Sequence, residues 1–217
     1  MLTDTVNGRR GCLNNKFFNL PEEKQNVIIN AGYRVFSENS YKKSPVSEIA
    51  KEAGISKALL FHYFKNKKEF YLHLYNKVFS LMKEIAEEEM DVTEIDFFEG
   101  LLKSLKFQRK LLEQYVYIFR FMMKAMHEED EDVAKDMIGI NSAHANNAYR
   151  FLEKVDKNKF REGVNIDQLF NIIGWCMEGF WNEKYLSSRL DIDEIDAGYE
   201  KIVNFFKRTT YKEEYLP

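Results

Sequence analysis

The chain has 217 residues, 45% of them hydrophobic and 31% charged, with only three prolines and ten glycines. That composition excludes a disordered or fibrous chain and leaves room for one or two domains with a sizeable core. The formal charge of −3 is unevenly spread: 13 lysines and arginines face 7 acids through Val78 (+6), and 19 face 28 beyond it (−9). A basic first third suits a phosphate-binding module, and an acidic remainder would repel nucleic acid elsewhere.

No stretch approaches the run of about eighteen uncharged apolar residues that a spanning helix needs, and no apolar leader opens the chain. Cys12 and Cys176 sit far apart in dissimilar contexts. They make neither a disulfide framework nor a metal knuckle, so a cytoplasmic location without membrane attachment is expected.

Residues 1–20 read as a flexible basic arm with Arg9, Arg10 and Lys16. Pro21-Glu22-Glu23-Lys24 then opens a first helix, with proline in the first turn and acids at the positive end of the helix dipole. Val27, Ile28, Ala31, Val35 and Phe36 form its apolar stripe, and it should end near Glu38-Asn39-Ser40. Tyr41 is expected to pack beneath the following corner.

Ser44 is read as the cap of a second helix with Pro45 in its first turn and Ile49, Ala50 and Ala53 inward. Gly54 stands where a left-handed helix end is needed. Ser56 can cap a third helix whose inner face is Leu60 and Phe64. Two short helices joined by a glycine-containing turn make a helix-turn-helix, and the second would offer Lys57, Ala58, His62 and Tyr63 to a DNA groove. An ordinary helical corner has the same spacing, so the motif depends on its surroundings.

Lys65-Asn66-Lys67-Lys68 leads into a periodic run with Phe70, Leu74, Val78, Leu81 and Ile85 inward, ending about Glu89. At 1.5 Å per residue this helix is about 36 Å long, enough to connect a small DNA-binding unit to a second region. Three helices are expected there, about Ile95–Lys110, Leu111–Met126 and Glu131–Lys157, followed by Asp167–Ser187 and Asp193–Thr210.

The span from Pro21 to about Tyr75 resembles the TetR family of bacterial transcription regulators. Ile28-Ala31-Phe36, Ile49-Ala50-Ala53-Gly54-Ile55-Ser56 and Leu60-Phe61-His62-Tyr63-Phe64-Lys65-Asn66-Lys67 carry the likeness. Leu59 and Phe61 depart from it, where relatives usually have a small or hydroxylated residue and a tyrosine. Phe61 lacks the hydroxyl through which relatives meet a phosphate.

The resemblance implies an all-α protein: a three-helix DNA-binding domain (21–68) containing the helix-turn-helix, then a larger helical ligand-binding and dimerisation domain (69–217). It implies DNA contacts at Lys57, His62 and Tyr63, with Lys67 on a phosphate. Ser47, Ser56, Ala58 and the neighbouring Lys42 and Lys43 could complete that surface. It also implies a homodimer through the last two helices. Phe170, Ile173, Met177, Phe180, Trp181, Ile195, Tyr199, Ile202 and Phe206 give those helices a wide apolar face, with Gly174 and Gly179 for close approach.

The partners expected are therefore double-stranded palindromic operator DNA, a second copy of the chain and a small amphipathic effector that releases a repressor from its operator. Tyr117, Arg120, Phe121, Asn147, Trp175, Glu178 and Trp181 are the candidate ligand residues, apolar walls with a few polar groups. Arg120 and Glu178 could equally face solvent or pair with each other. The acidic run His127–Asp132 reads as a solvated turn rather than a metal site. No phosphate loop, nucleophile elbow or two-histidine metal helix appears, so neither an enzyme nor a cofactor is expected. A helical carrier of lipophilic molecules would explain the aromatic body, but not the lysines around the glycine turn.

Overall fold

The structure is a computed structural model that describes residues 15–89, 96–186 and 191–216, without the side chains of 85–89, 144–150 and 186. Among the described residues the regular secondary structure is helical. Helices α1 (Asn15–Phe18), α2 (Glu22–Glu38), α3 (Val46–Glu52), α4 (Lys57–Phe64) and α5 (Lys67–Glu89) form the N-terminal part. Helices α6 (Phe97–Gln114), α7 (Ile118–Met126), α8 (Ala134–Glu153), α9 (Ile166–Leu186) and α10 (Ile192–Thr210) form the rest. The expected all-α class, the helix-turn-helix and the long connector α5 are all present.

Four local expectations change. The end of the supposed flexible arm is ordered: Phe17 in α1 is buried against Tyr63, Phe64 and His73. The segment that carries Arg9 and Arg10 lies outside the described residues. Ser44 does not cap α3; it is buried, and its hydroxyl donates to the carbonyl of Ser40 at 2.9 Å, closing the turn behind the helix.

The boundary expected at Lys110–Leu111 falls instead at Tyr115, because Leu111 and Leu112 continue the buried stripe of α6. There α2 supplies the stop. Asn30 donates to the Gln114 carbonyl at 2.9 Å, and the Tyr115 hydroxyl donates to Asn26 at 2.7 Å. The fourth change is at the far end. α8 stops at Glu153, and a 3-10 turn over Lys157–Lys159 leads into an antiparallel bridge between Phe160 and Tyr211. Two backbone bonds close it, Arg161 N–H to the Thr210 carbonyl and Lys212 N–H to the Lys159 carbonyl, both at 2.9 Å.

Two buried clusters organise the packing. The outer one, at the end remote from the helix-turn-helix, gathers Phe97 and Phe98 of α6 with Phe160, Tyr199, Val203 and Tyr211. The other runs without a break from α2–α5 into α7. Phe121 of α7 is fully buried, with ring centroids 5.1 Å from Tyr33, 5.3 Å from Tyr71 and 6.3 Å from Phe36. The Tyr33 hydroxyl donates to the Leu74 carbonyl at 3.2 Å, tying α2 to α5 in the same cluster. The first helices of the expected DNA-binding unit thus share one core with the second region.

Candidate nucleic-acid interface

Backbone geometry forms the turn between α3 and α4. Gly54 has φ +65°, the left-handed conformation that a side chain disfavours. The Gly54 N–H reaches the Lys51 carbonyl at 3.1 Å and the Ile55 N–H the Ala50 carbonyl at 2.9 Å, the paired bonds of a glycine-terminated helix. Two residues on, the Ser56 hydroxyl accepts from the Leu59 N–H at 3.0 Å and caps α4. Leu60 and Phe64 turn inward as their spacing requires.

α3 is held against α2 by one side chain. Arg34 meets Glu38 at 3.0 Å, Glu48 at 3.1 Å and Glu52 at 2.8 Å, so a single guanidinium joins two carboxylates of α3 to one of α2. Planar, multidentate donation of this kind is a property of arginine rather than lysine.

On the outer face, Ser47 of α3 and Ser56, Lys57, Ala58 and His62 are exposed, with Lys42 and Lys43 exposed just before α3. The Lys57 ammonium lies 5.6 Å from the centre of the Phe61 ring, which keeps the stem along the helix. Phe61 thereby acquires a role that needs no hydroxyl.

Tyr63 does not belong to this face. It is 8% exposed, with its ring 5.9 Å from Phe17, because α1 covers the side of α4 that the sequence left open. Tyr63 packs α4 against α1 instead of projecting from the helix. Lys67 is half-buried and drawn inward: its ammonium lies 4.8 Å over the Tyr41 ring and donates to the Lys42 carbonyl at 3.2 Å. Burial pushes its pKa down, opposed by the carboxylates of Asp130, Asp132 and Glu128.

The α4–α5 connection is equally tight. Lys65 takes φ +61° without being glycine, and the Asn66 side chain then accepts from the Glu69 N–H at 2.8 Å, capping α5.

Of the seven residues expected to line a ligand site, the six whose side chains are described are not brought together. Phe121 lies in the core shared with α2 and α5, and Trp175 is 68% exposed on α9 whereas Trp181 is buried. The side chain of Asn147 lies outside the description. Tyr117 is half-buried at the start of α7, and Glu178 pairs with His127 at 2.9 Å rather than with Arg120. What remains is a stack. The ring of Trp181 lies 5.1 Å from Phe119 at 19° and 5.4 Å from Tyr185 at 21°. The Tyr185 hydroxyl is buried beside the half-buried Arg120 backbone without closing a hydrogen bond of normal geometry. Tyr185 is the residue that spacing missed; four positions after Trp181, it looked like ordinary helix stripe.

The apolar face expected for dimerisation also divides. Ile173, Met177, Trp181, Ile195 and Tyr199 are buried within the protomer, while Trp175 and Phe205 (63%) stand exposed. A β-carbon on Gly174 or Gly179 would meet nothing within 4 Å, whereas one on Gly198 would lie 2.3 Å from the Phe180 ring. Gly198, not the two α9 glycines, permits the close packing of α9 on α10. Among the described residues no cluster of three His, Cys, Asp or Glu side chains could hold a metal, and no helix is long and apolar enough to cross a membrane.

Residues 28–74 match the family model for bacterial regulatory proteins of the tetR family. The fatty acid metabolism regulator protein of Bacillus subtilis (strain 168) is 38% identical over 63 residues, 29% of this chain. That match spans about a third (32%) of the relative's own length. Over nearly the whole chain the likeness is one of fold. A TetR family regulator from Chloroflexus aurantiacus superposes with a TM-score of 0.63 at 18% identity, covering 94% of this chain and 100% of that one. FadR from Bacillus subtilis, solved in complex with stearoyl-CoA, superposes with a TM-score of 0.59 at 19% identity, covering 82% and 95%. The resemblance read from the helix-turn-helix is borne out, and the TetR-like fold extends through the second region.

Proposed function

We propose that this chain, TetR-like in its helix-turn-helix and in its fold, is a DNA-binding transcriptional regulator of the cytoplasm, a repressor that leaves a palindromic operator when an amphipathic effector binds. The observation that carries the reading is the α3–α4 unit. A left-handed glycine end and a serine cap fix a short helix whose outer side presents Lys57, Ala58 and His62, with Ser47, Lys42 and Lys43 alongside. Lysines there neutralise phosphates and fix the protein on the duplex, while Ala58 and His62 reach base edges. The chain acts by binding rather than by catalysis.

Two such units, one per protomer, would reach successive major grooves about 34–36 Å apart. The exposed Trp175 and Phe205 on α9 and α10 supply the apolar surface for a homodimer. The effector site is read beside the Phe119–Trp181–Tyr185 stack, where Arg120 is the polar neighbour. A long-chain acyl-CoA is the first candidate, since it is the ligand named for a relative of the same fold. Driving the protein from mostly bound to mostly free requires the effector to favour the released state by about 5.5 kcal/mol.

Selection of duplexes from a random library by the purified protein tests the DNA reading. A palindromic consensus should emerge, bound less tightly as salt rises. Failure to enrich any sequence would sink it. For the effector, stearoyl-CoA added to a Trp175→Phe variant should change Trp181 fluorescence and release the selected duplex. Release without any change at Trp181 would place the site elsewhere.

A further inference from the structure

The acidic turn after α7, expected to be solvated, reaches across to the loop that leads into α3. A Glu128 carboxylate oxygen accepts the Tyr41 N–H at 2.7 Å, and Asp132 accepts a hydrogen bond from the Tyr41 hydroxyl. The turn holds its own shape: Glu128 also accepts the Asp130 N–H and Asp130 the Asp132 N–H, each at 3.1 Å. Tyr41 is gripped at both ends and buried, stacked on Phe36 at 6.4 Å and against the edge of Tyr71 at 5.1 Å. The face of the same ring carries the Lys67 ammonium at 4.8 Å. The next residue, Lys68, pairs with Asp136 at 2.8 Å. On its other flank the turn meets α9 through His127 and Glu178.

We propose that Glu128 and Asp132 are positioning residues for DNA binding, which act through Tyr41 to set where the Lys67 ammonium stands at the phosphate backbone. The inference rests on the DNA-binding reading above and deepens it. A lysine ammonium ends a flexible four-carbon stem and gains affinity for a phosphate when its conformation is selected beforehand. Here the selecting surface is an aromatic face and the Lys42 carbonyl, and both belong to a loop held by the second region. Any change that shifts the turn moves the ring and hence the lysine. The grip of α9 on His127 gives the second region a physical route to a DNA contact.

The test uses the full chain and the duplex selected above, with affinity measured between 50 and 200 mM salt. Lys67→Ala removes one phosphate contact per recognition unit, two per dimer on the palindromic duplex, and lowers the log–log salt slope by about 1.8, so the affinity lost over that range shrinks about twelvefold. Tyr41→Phe and Asp132→Ala should reproduce most of that fall although neither group touches DNA. Asp132→Asn, whose amide oxygen still accepts the tyrosine hydroxyl, should restore the wild-type slope. Tyr41→Phe combined with Lys67→Ala should fall no further than Lys67→Ala alone. If Asp132→Ala does not fold, Tyr41→Phe decides, since it removes only a hydroxyl. Wild-type slopes for Tyr41→Phe and Asp132→Ala beside a reduced slope for Lys67→Ala would overturn the inference and leave the DNA-binding reading standing. A wild-type slope for Lys67→Ala would overturn it as well. Absence of any selected duplex would remove the reading itself.

Discussion

Replacing Phe121 by alanine separates two roles for α7. As a pocket wall, the ring would be dispensable for stability and its loss would alter only effector binding. As the structure places it, the ring is fully buried among Tyr33, Phe36 and Tyr71, with centroids 5.1–6.3 Å away. Truncating a buried phenylalanine to alanine costs about 3–5 kcal/mol, from lost apolar burial plus the cavity left behind. For a chain of this size each kcal/mol lowers the melting midpoint by about 2–4 °C, so a drop of about 6–20 °C follows. Circular dichroism melts at one fixed protein concentration make the comparison, since self-association would shift the midpoint by itself. The melt should remain a single transition, because the same cluster joins α2 and α5 to α7. A loss under about 1 kcal/mol, or a melt that splits with the N-terminal helices unaffected, would refute a shared core.

Three further outcomes are expected. Gly54→Ala should lose about 1–2 kcal/mol in urea unfolding: a β-carbon there meets open space, so the penalty is purely that of φ +65°. The His73 imidazole, beside Phe17 and Phe64 at 5.7 and 5.3 Å, has its pKa pushed down to about 4 by burial and, secondarily, by Lys77. Between about pH 6.5 and 4 the unfolded chain takes up a proton that the folded one refuses, so stability falls as pH drops through that window. The loss reaches up to about 3 kcal/mol, and less where water meets the ring's open edge. His73→Phe should flatten that part of the stability–pH curve. Trp175→Glu with Phe205→Glu should convert a dimeric mass in light scattering to a monomeric one, with the helical spectrum retained; a monomeric wild type at micromolar concentration would discard the dimer.

The helix-turn-helix was legible because its signals are local. A glycine at a left-handed helix end and a serine cap depend on a few neighbouring backbone atoms, and both stand where the sequence placed them. The second region was legible as helices but not as contacts. Spacing marks Phe121 as inward-facing without saying which core receives it, and the answer came from α2 and α5, far earlier in the chain. The same limit hid Tyr63, covered by a four-residue helix too short to announce itself, and moved the α6–α7 break to Tyr115, where Asn26 and Asn30 supply the stop. Trp175 and Trp181 lie on one helix and look alike in sequence; only the packing of α10 and α7 assigns one to solvent and the other to a stack. Acidity suggested solvent for residues 127–132, whereas the geometry of those carboxylates fits the amide and hydroxyl of one distant tyrosine.

The bridge between Phe160 and Tyr211 has a consequence for the homodimer proposed above. Its two backbone bonds join the segment before α9 to the segment after α10, so neither helix can ratchet along the other by a turn, about 5.4 Å, without breaking them. Trp175 and Phe205 are therefore held at a fixed offset before any partner arrives. A surface already in register loses little freedom on docking, and more of its apolar contact survives as affinity. The pinned register also narrows the choice of partner, since only a surface with the matching offset can engage both rings together.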